Sequence, residues 1–135
     1  MLTTKCINPE ILRALSLCGH GDKILIADGN YPLHAKTGDA SKVYLGVTAG
    51  LPTVTDVLEA LLGVVNFEKA EVMIPENGPE PGIFSEFRKD LEGMELTPLG
   101  RYEFYDECCK ETLKLAISTG EKRVYANILL TIAVA

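Results

Sequence analysis

The chain of 135 residues contains no apolar run near the roughly 20 residues that a membrane-spanning helix needs, so no membrane association is expected. Positive charge is scarce: 13 Lys and Arg stand against 19 Asp and Glu, for a net charge of −6. Those cations are scattered, with Lys122–Arg123 the densest cluster, and this argues against a surface that neutralises nucleic-acid phosphates. Neither GxxxxGK[ST] nor GxGxxG occurs, so no loop reads as a phosphate cradle. The 4 cysteines show no CxxC spacing, and 2 histidines cannot complete an ordinary Cys/His zinc set, so no metal and no cofactor are expected. Met1–Leu2–Thr3–Thr4–Lys5 leads into no apolar segment of a secretory signal, and the cysteines read as free thiols of a cytoplasmic protein.

What is present has the balance of a globular domain, 47% hydrophobic and 24% charged, in a length that fits one domain over residues 1–135. Asn8 as N-cap, Pro9 at the first helical position and Glu10 at the positive end open a helix. Ile11, Leu12, Leu15 and Cys18 form its apolar stripe, and Gly19 stops it. Lys23–Ala27 reads as a buried strand ending at the turn Asp28–Gly29–Asn30. A loop over Tyr31–Ser41 and a strand over Tyr44–Val47 follow. The next helix is capped by Thr53 or Thr55 and turns Val57, Leu58, Leu61, Leu62 and Val65 inward.

Glu71–Ile74 is a strand, Pro75–Pro81 an exposed loop, Ile83–Leu91 an amphipathic helix, and Thr97–Arg101 extended. The pattern then predicts a long helix over Phe104–Ile117 and a final apolar strand over Ala126–Val134. This alternation predicts an α/β fold: a three-layer α/β/α domain with a mostly parallel or mixed sheet.

In open α/β sheets, ligands gather beyond the carboxyl ends of the strands, and Asp28 stands at such an end. His20 and Asp22 follow the first helix, His34 lies in a loop after Pro32–Leu33, and Tyr125 and Asn127 open the last strand. Each has an ordinary structural use. A His after a helix compensates its dipole, and an Asp before Gly makes a turn.

Taken together, these pieces resemble a known family. Gly19–His20–Gly21–Asp22, a strand, and Asp28–Gly29–Asn30–Tyr31–Pro32–Leu33–His34 are similar to the signature of the ribose pyranase/fucose mutarotase family. There a Gly-His-(Gly/Thr)-Asp turn leads into a strand ending in Asp, then an aromatic or apolar residue and Pro. Thr119–Gly120–Glu121 followed by Tyr125–Ala126–Asn127–Ile128–Leu129–Leu130 resembles the family's (S/T)GE…Y(A/G)N-I-(I/L)-L block. The likeness spans essentially the whole chain.

The resemblance implies His20 as proton donor, with Asp28 and Tyr125 beside it in the catalytic site, and Asn127 and the Ala126 peptide as sugar contacts. A further contact is His in the ribose branch and Arg in the fucose branch, and Arg101 matches the latter. The His-Gly-Asp turn and Phe104–Tyr105 also look more like the fucose branch, although Pro32–Leu33–His34–Ala35 lacks the Ser that follows His there. Ring-shaped homo-oligomers, pentamers or decamers, with sites near subunit contacts are implied as well.

The implied reaction is mutarotation, in which a cyclic hemiacetal opens and recloses on the other face of its aldehyde. Positioned acid–base groups typically contribute about 10²–10⁴-fold each, so no metal or covalent nucleophile is needed. His20 is expected to pass the proton at the ring oxygen, with Asp22 or Asp28 orienting its imidazole or holding a hydroxyl. Tyr125 would relay the proton at the anomeric hydroxyl. Asn127, Arg101 and His34 are the remaining expected sugar contacts. The expected function is interconversion of the anomers of a monosaccharide, L-fucose before D-ribose. The alternatives are a D-ribose pyranase, or a non-catalytic sugar-binding protein linked to uptake that uses the same residues.

Overall fold

The computed structural model describes all 135 residues. Helix α1 (Pro9–Ser16) starts as its cap dictates: the Asn8 side chain accepts from the Ile11 amide at 3.0 Å, and Pro9 sits where no amide proton is needed. The helix ends at Ser16, so Cys18 lies just beyond it, its thiol donating to the Ala14 carbonyl. Strand β1 (Lys23–Ala27) follows, then β2 (Ser41–Tyr44). β2 lies three residues earlier than the strand expected from Tyr44, because Val43 enters the core whereas Val47 is exposed outside the sheet.

Helix α2 (Val54–Leu62) is capped reciprocally. The Thr53 hydroxyl accepts from the Asp56 amide, and the Asp56 carboxylate accepts from the Thr53 amide. The remaining elements are β3 (Phe67–Met73), α3 (Ile83–Asp90), β4 (Leu96–Leu99), α4 (Arg101–Cys108), β5 (Leu113–Ser118) and β6 (Ile128–Ile132).

The long helix expected over Phe104–Ile117 is two elements, α4 and β5. Leu113 and Ile117 are four apart, as on a helix, but Leu113, Leu115 and Ile117 also alternate, as on a strand. The strand wins because the slot between β1 and β2 buries both of its faces: Leu115, Ala116 and Ile117 are fully enclosed. α4 in turn starts at Arg101, which the expected extended segment had included.

The strands form one six-stranded sheet in the order β2-β5-β1-β6-β3-β4. β2, β5 and β1 run parallel, as do β3 and β4, and β6 is antiparallel to both β1 and β3. The sheet is mixed, and β6 therefore begins at the end where β1, β3, β4 and β5 terminate. α1, α2 and α3 cover one face, against Ile24, Ile26, Leu115, Ile117, Ile128 and Leu130. α4 and the segment around Tyr31, Leu33 and Ala40 cover the other, against Leu25, Ala27, Ala116 and Leu129. Lys23 reaches from β1 to Glu107 of α4 at 2.8 Å and to Glu71 of β3 at 3.2 Å, which ties the last turn of α4 to the sheet. No helix is long and apolar enough to cross a membrane.

Candidate active site

Asp28, the first residue beyond β1, is 2% exposed, and its carboxylate is fully engaged. One oxygen accepts from the amides of Asn30 at 2.9 Å and Tyr31 at 3.0 Å. The other accepts from the Ala126 amide and the Asn127 side-chain nitrogen, both at 3.2 Å. Asn127 returns the contact, its side-chain oxygen accepting from the Asp28 amide at 2.8 Å. Burial pushes the Asp28 carboxyl up, and the four donors, all of which suit the ionised form, pull it back.

The far side of the same turn is bound as well. The Thr119 hydroxyl donates to the Ala27 carbonyl at 2.8 Å, and the Gly29 amide donates to the Glu121 carbonyl at 2.9 Å. The segment 119–127 is thus bonded to the turn after β1 on both sides of Tyr125. Tyr125 itself sits at φ 60°, in the left-handed region, which costs a side-chain-bearing residue about 1–3 kcal/mol and persists only where its flanks hold it.

Between these elements lies a cavity of about 180 Å³ lined by Asp28, Met73, Arg101, Tyr105, Tyr125 and Asn127, among others. Arg101 donates through Nε to the Tyr105 hydroxyl at 3.2 Å, with its guanidinium 5.7 Å from the centre of that ring, and its two terminal nitrogens bond no protein group. Tyr105 packs edge-on against Tyr31 at 5.4 Å, and the Tyr31 hydroxyl donates to the Lys36 carbonyl at 2.9 Å. The cavity therefore offers a tyrosine hydroxyl, an amide side chain and a free guanidinium around a buried carboxylate that holds the frame.

Glu121 anchors this frame from outside the cavity. It is buried, and paired hydrogen bonds from Arg123 hold its carboxyl below the usual carboxylate range. Because the folded value lies below the unfolded one, the pair stabilises the protein above the unfolded value, and that contribution is lost as pH falls through the folded value. Thermal midpoints measured downward from pH 7 should fall on the acid side, and Arg123→Met should shrink that fall.

The expected site residues divide into two groups. Asp28, Arg101, Tyr125, Ala126 and Asn127 come together. His20, Asp22 and His34 of the same chain do not join them. His20 lies before β1, whose five residues separate it from Asp28 by roughly 15 Å. Its Nε2 contacts both carboxylate oxygens of Glu68 at 3.0 and 3.1 Å, so neither Asp22 nor Asp28 orients this imidazole. The Asp22 carboxylate instead accepts from the Gly19 amide at 2.8 Å and closes the turn, and His34 is exposed on the surface.

The acceptor positions of the Asp28 carboxylate are taken by the surrounding frame. Tyr105 and Glu68 were not foreseen. The Arg101–Tyr105 contact depends on four-residue helical spacing in a segment read as extended, and the His20–Glu68 pair joins residues 48 apart across β3, with no local signal. No three His, Cys, Asp or Glu side chains converge as a metal-ligand group.

Known proteins resemble this chain in sequence and in the arrangement of its elements. D-ribose pyranase of Staphylococcus haemolyticus (strain JCSC1435) is 35% identical over 133 residues, which cover 96% of this chain and 95% of that protein. The structure of Bacillus subtilis RbsD complexed with D-ribose superposes with a TM-score of 0.86 at 26% identity, covering 100% of this chain and 99% of that one. The fucose mutarotase of Streptococcus pneumoniae in complex with L-fucose superposes with a TM-score of 0.84, also at 26% identity and with the same coverage. The model of the RbsD / FucU transport protein family matches residues 1–135, and the chain belongs to that family.

Proposed function

We propose that the protein is a monosaccharide mutarotase acting on L-fucose, with the sugar in the cavity around Tyr125, Asn127 and Arg101. The observation that carries this reading is the Asp28 carboxylate, whose four donors hold a tyrosine and an amide side by side at the carboxyl end of the sheet. Relatives named D-ribose pyranase and fucose mutarotase support sugar ring opening and reclosure as the chemistry.

Asn127 spends its oxygen and one N–H on Asp28, which leaves one N–H for a ring hydroxyl. The terminal nitrogens of Arg101 take further hydroxyls, and Met73 with Val124 supplies an apolar wall suited to the methyl group of a 6-deoxy sugar. That wall and Arg101 favour L-fucose over D-ribose.

Ring opening transfers one proton to the ring oxygen and removes one from the anomeric hydroxyl as the C1–ring oxygen bond breaks and the aldehyde forms. Closure reverses both transfers on the other face. Tyr125 serves the anomeric hydroxyl. The other proton needs a second acid–base group, and the cavity of one chain contains no imidazole. His20 supplies it from a second copy across a homo-oligomer contact: it is 55% exposed, at the opposite end of the sheet, and already oriented by Glu68. No cofactor is required.

Exchange NMR on α and β L-fucose, run beside pyranose–furanose exchange of D-ribose, tests the reading. Faster acceleration of L-fucose is expected. Preferential acceleration of D-ribose would favour the second reading, a D-ribose pyranase, which the curated names of its relatives support. Binding of either sugar without exchange would make the protein a sugar-binding protein and sink the mutarotase reading.

A further inference from the structure

Arg123 stands two residues before Tyr125, outside the cavity, and nothing in the chemistry above uses it. It is nevertheless the hub of its segment. Its Nε and one terminal nitrogen donate to the two Glu121 oxygens, each at 3.0 Å, in the paired geometry that makes such contacts strong and directional. Its other terminal nitrogen bonds Glu86 of α3, and its own amide donates to Glu121 at 3.1 Å. Glu121 also accepts from the Val54 amide at the start of α2, at 3.4 Å. Arg123 and Glu121 together therefore brace the segment against two helices of the opposite layer, Arg123 through Glu86 of α3 and Glu121 through the start of α2.

What this brace protects is the residue two positions on. Val124 is 63% exposed and packs nothing into the core, so no apolar burial holds the chain there. Tyr125 then adopts φ 60°. Downstream, the Ala126 amide is fixed on Asp28. Upstream, the first fixed point is Arg123. Releasing it would leave Tyr125 held from one side only, in a backbone conformation that it does not favour.

We propose that Glu86, Arg123 and Glu121 form a clamp that sets the direction of the Tyr125 side chain, which makes Arg123 a positioning residue for proton relay at the anomeric hydroxyl. This inference rests on the mutarotase reading.

A double-mutant cycle tests it by exchange NMR across sugar concentrations, with every variant assayed well below its melting midpoint. Arg123→Met should lower kcat by about 10-fold with little change in KM, since a small misplacement of a reacting group is expensive. Arg123→Lys, which keeps the charge without the paired bonds, should fall between it and wild type. In a Tyr125→Phe background, Arg123→Met should change kcat by less than about 2-fold, because coupled residues are not additive. A purely structural Arg123 predicts equal losses in both backgrounds, and that result would overturn the clamp, as would an unchanged kcat in the single variant. Should Arg123→Met fail to fold, Glu86→Ala removes only the outer arm, and a smaller loss that again disappears in Tyr125→Phe is expected. A wild type that exchanges neither sugar refutes the mutarotase reading itself and the clamp with it.

Discussion

Asp28→Ala should lower the unfolding free energy by about 3–5 kcal/mol and slow anomer exchange by at least about 10²-fold. The substitution leaves the amides of Asn30, Tyr31 and Ala126 and the side-chain nitrogen of Asn127 without their acceptor in a buried place. A buried donor without a partner costs about 1–3 kcal/mol, and water entering the space left by the carboxylate recovers some of the total. The rate falls for a related reason. The same carboxylate joins the turn after β1 to the start of β6, so Tyr125 and Asn127 lose their common anchor. Asp28→Asn is the sharper variant. It keeps the shape but turns an NH₂ toward donors that need an acceptor, so it should lose stability and exchange together. Denaturant unfolding with parallel exchange NMR reads both, and an Asp28→Asn protein unchanged in either respect would mean that the carboxylate does not organise the site.

Gly120→Ala should destabilise the protein by about 3 kcal/mol, which lowers the thermal midpoint by roughly 10 °C. A Cβ there would lie 2.6 Å from the Leu51 oxygen and 2.8 Å from the Leu51 nitrogen, and also against the Thr48 carbonyl. All three are backbone atoms, so no side chain can swing aside. The Gly120 amide donates to the Pro52 carbonyl at 2.9 Å, so relieving the clash separates the segment from the turn before α2. Glu121 is the next residue, and the disturbance enters the clamp and Tyr125 from there. Gly82→Ala is the control: its Cβ would meet nothing within 4 Å, and its midpoint should move little.

The elements readable from sequence were those with local chemical punctuation. Asn8–Pro9 marks the start of α1 and Lys23–Ala27 followed by Asp28–Gly29 a buried strand and its turn, each where expected, and Thr53 is the one of the two threonines, Thr53 or Thr55, that caps α2. The segment Lys110–Glu111–Thr112 between α4 and β5 contains neither Gly nor Pro, and apolar residues on both sides of it satisfy helical spacing, so two elements read as one. Only the neighbouring strands, which bury both faces of β5, decide between the periods. Placing Arg101 at the end of an extended segment hid Tyr105, four residues after it on the helix.

The site was legible to the same extent. Two motifs from opposite ends of the chain resemble one family signature, and Asp28, Tyr125 and Asn127 from them line one cavity, whereas His20 of the same chain stands elsewhere. Which carboxylate faces His20, and on which side of the sheet end it stands, depends on β3 pairing with β6, a long-range contact with no trace near residue 20.

Complementation between inactive variants tests the composite site most directly. His20→Ala and Tyr125→Phe should each exchange L-fucose anomers far more slowly than wild type. Unfolded together at equal concentration and reassembled, they should regain about a quarter of the wild-type rate, because a head-to-tail contact that takes one group from each copy restores one site in four. No recovery on reassembly, or a His20→Ala protein as fast as wild type, would contradict a proton shuttle shared between copies.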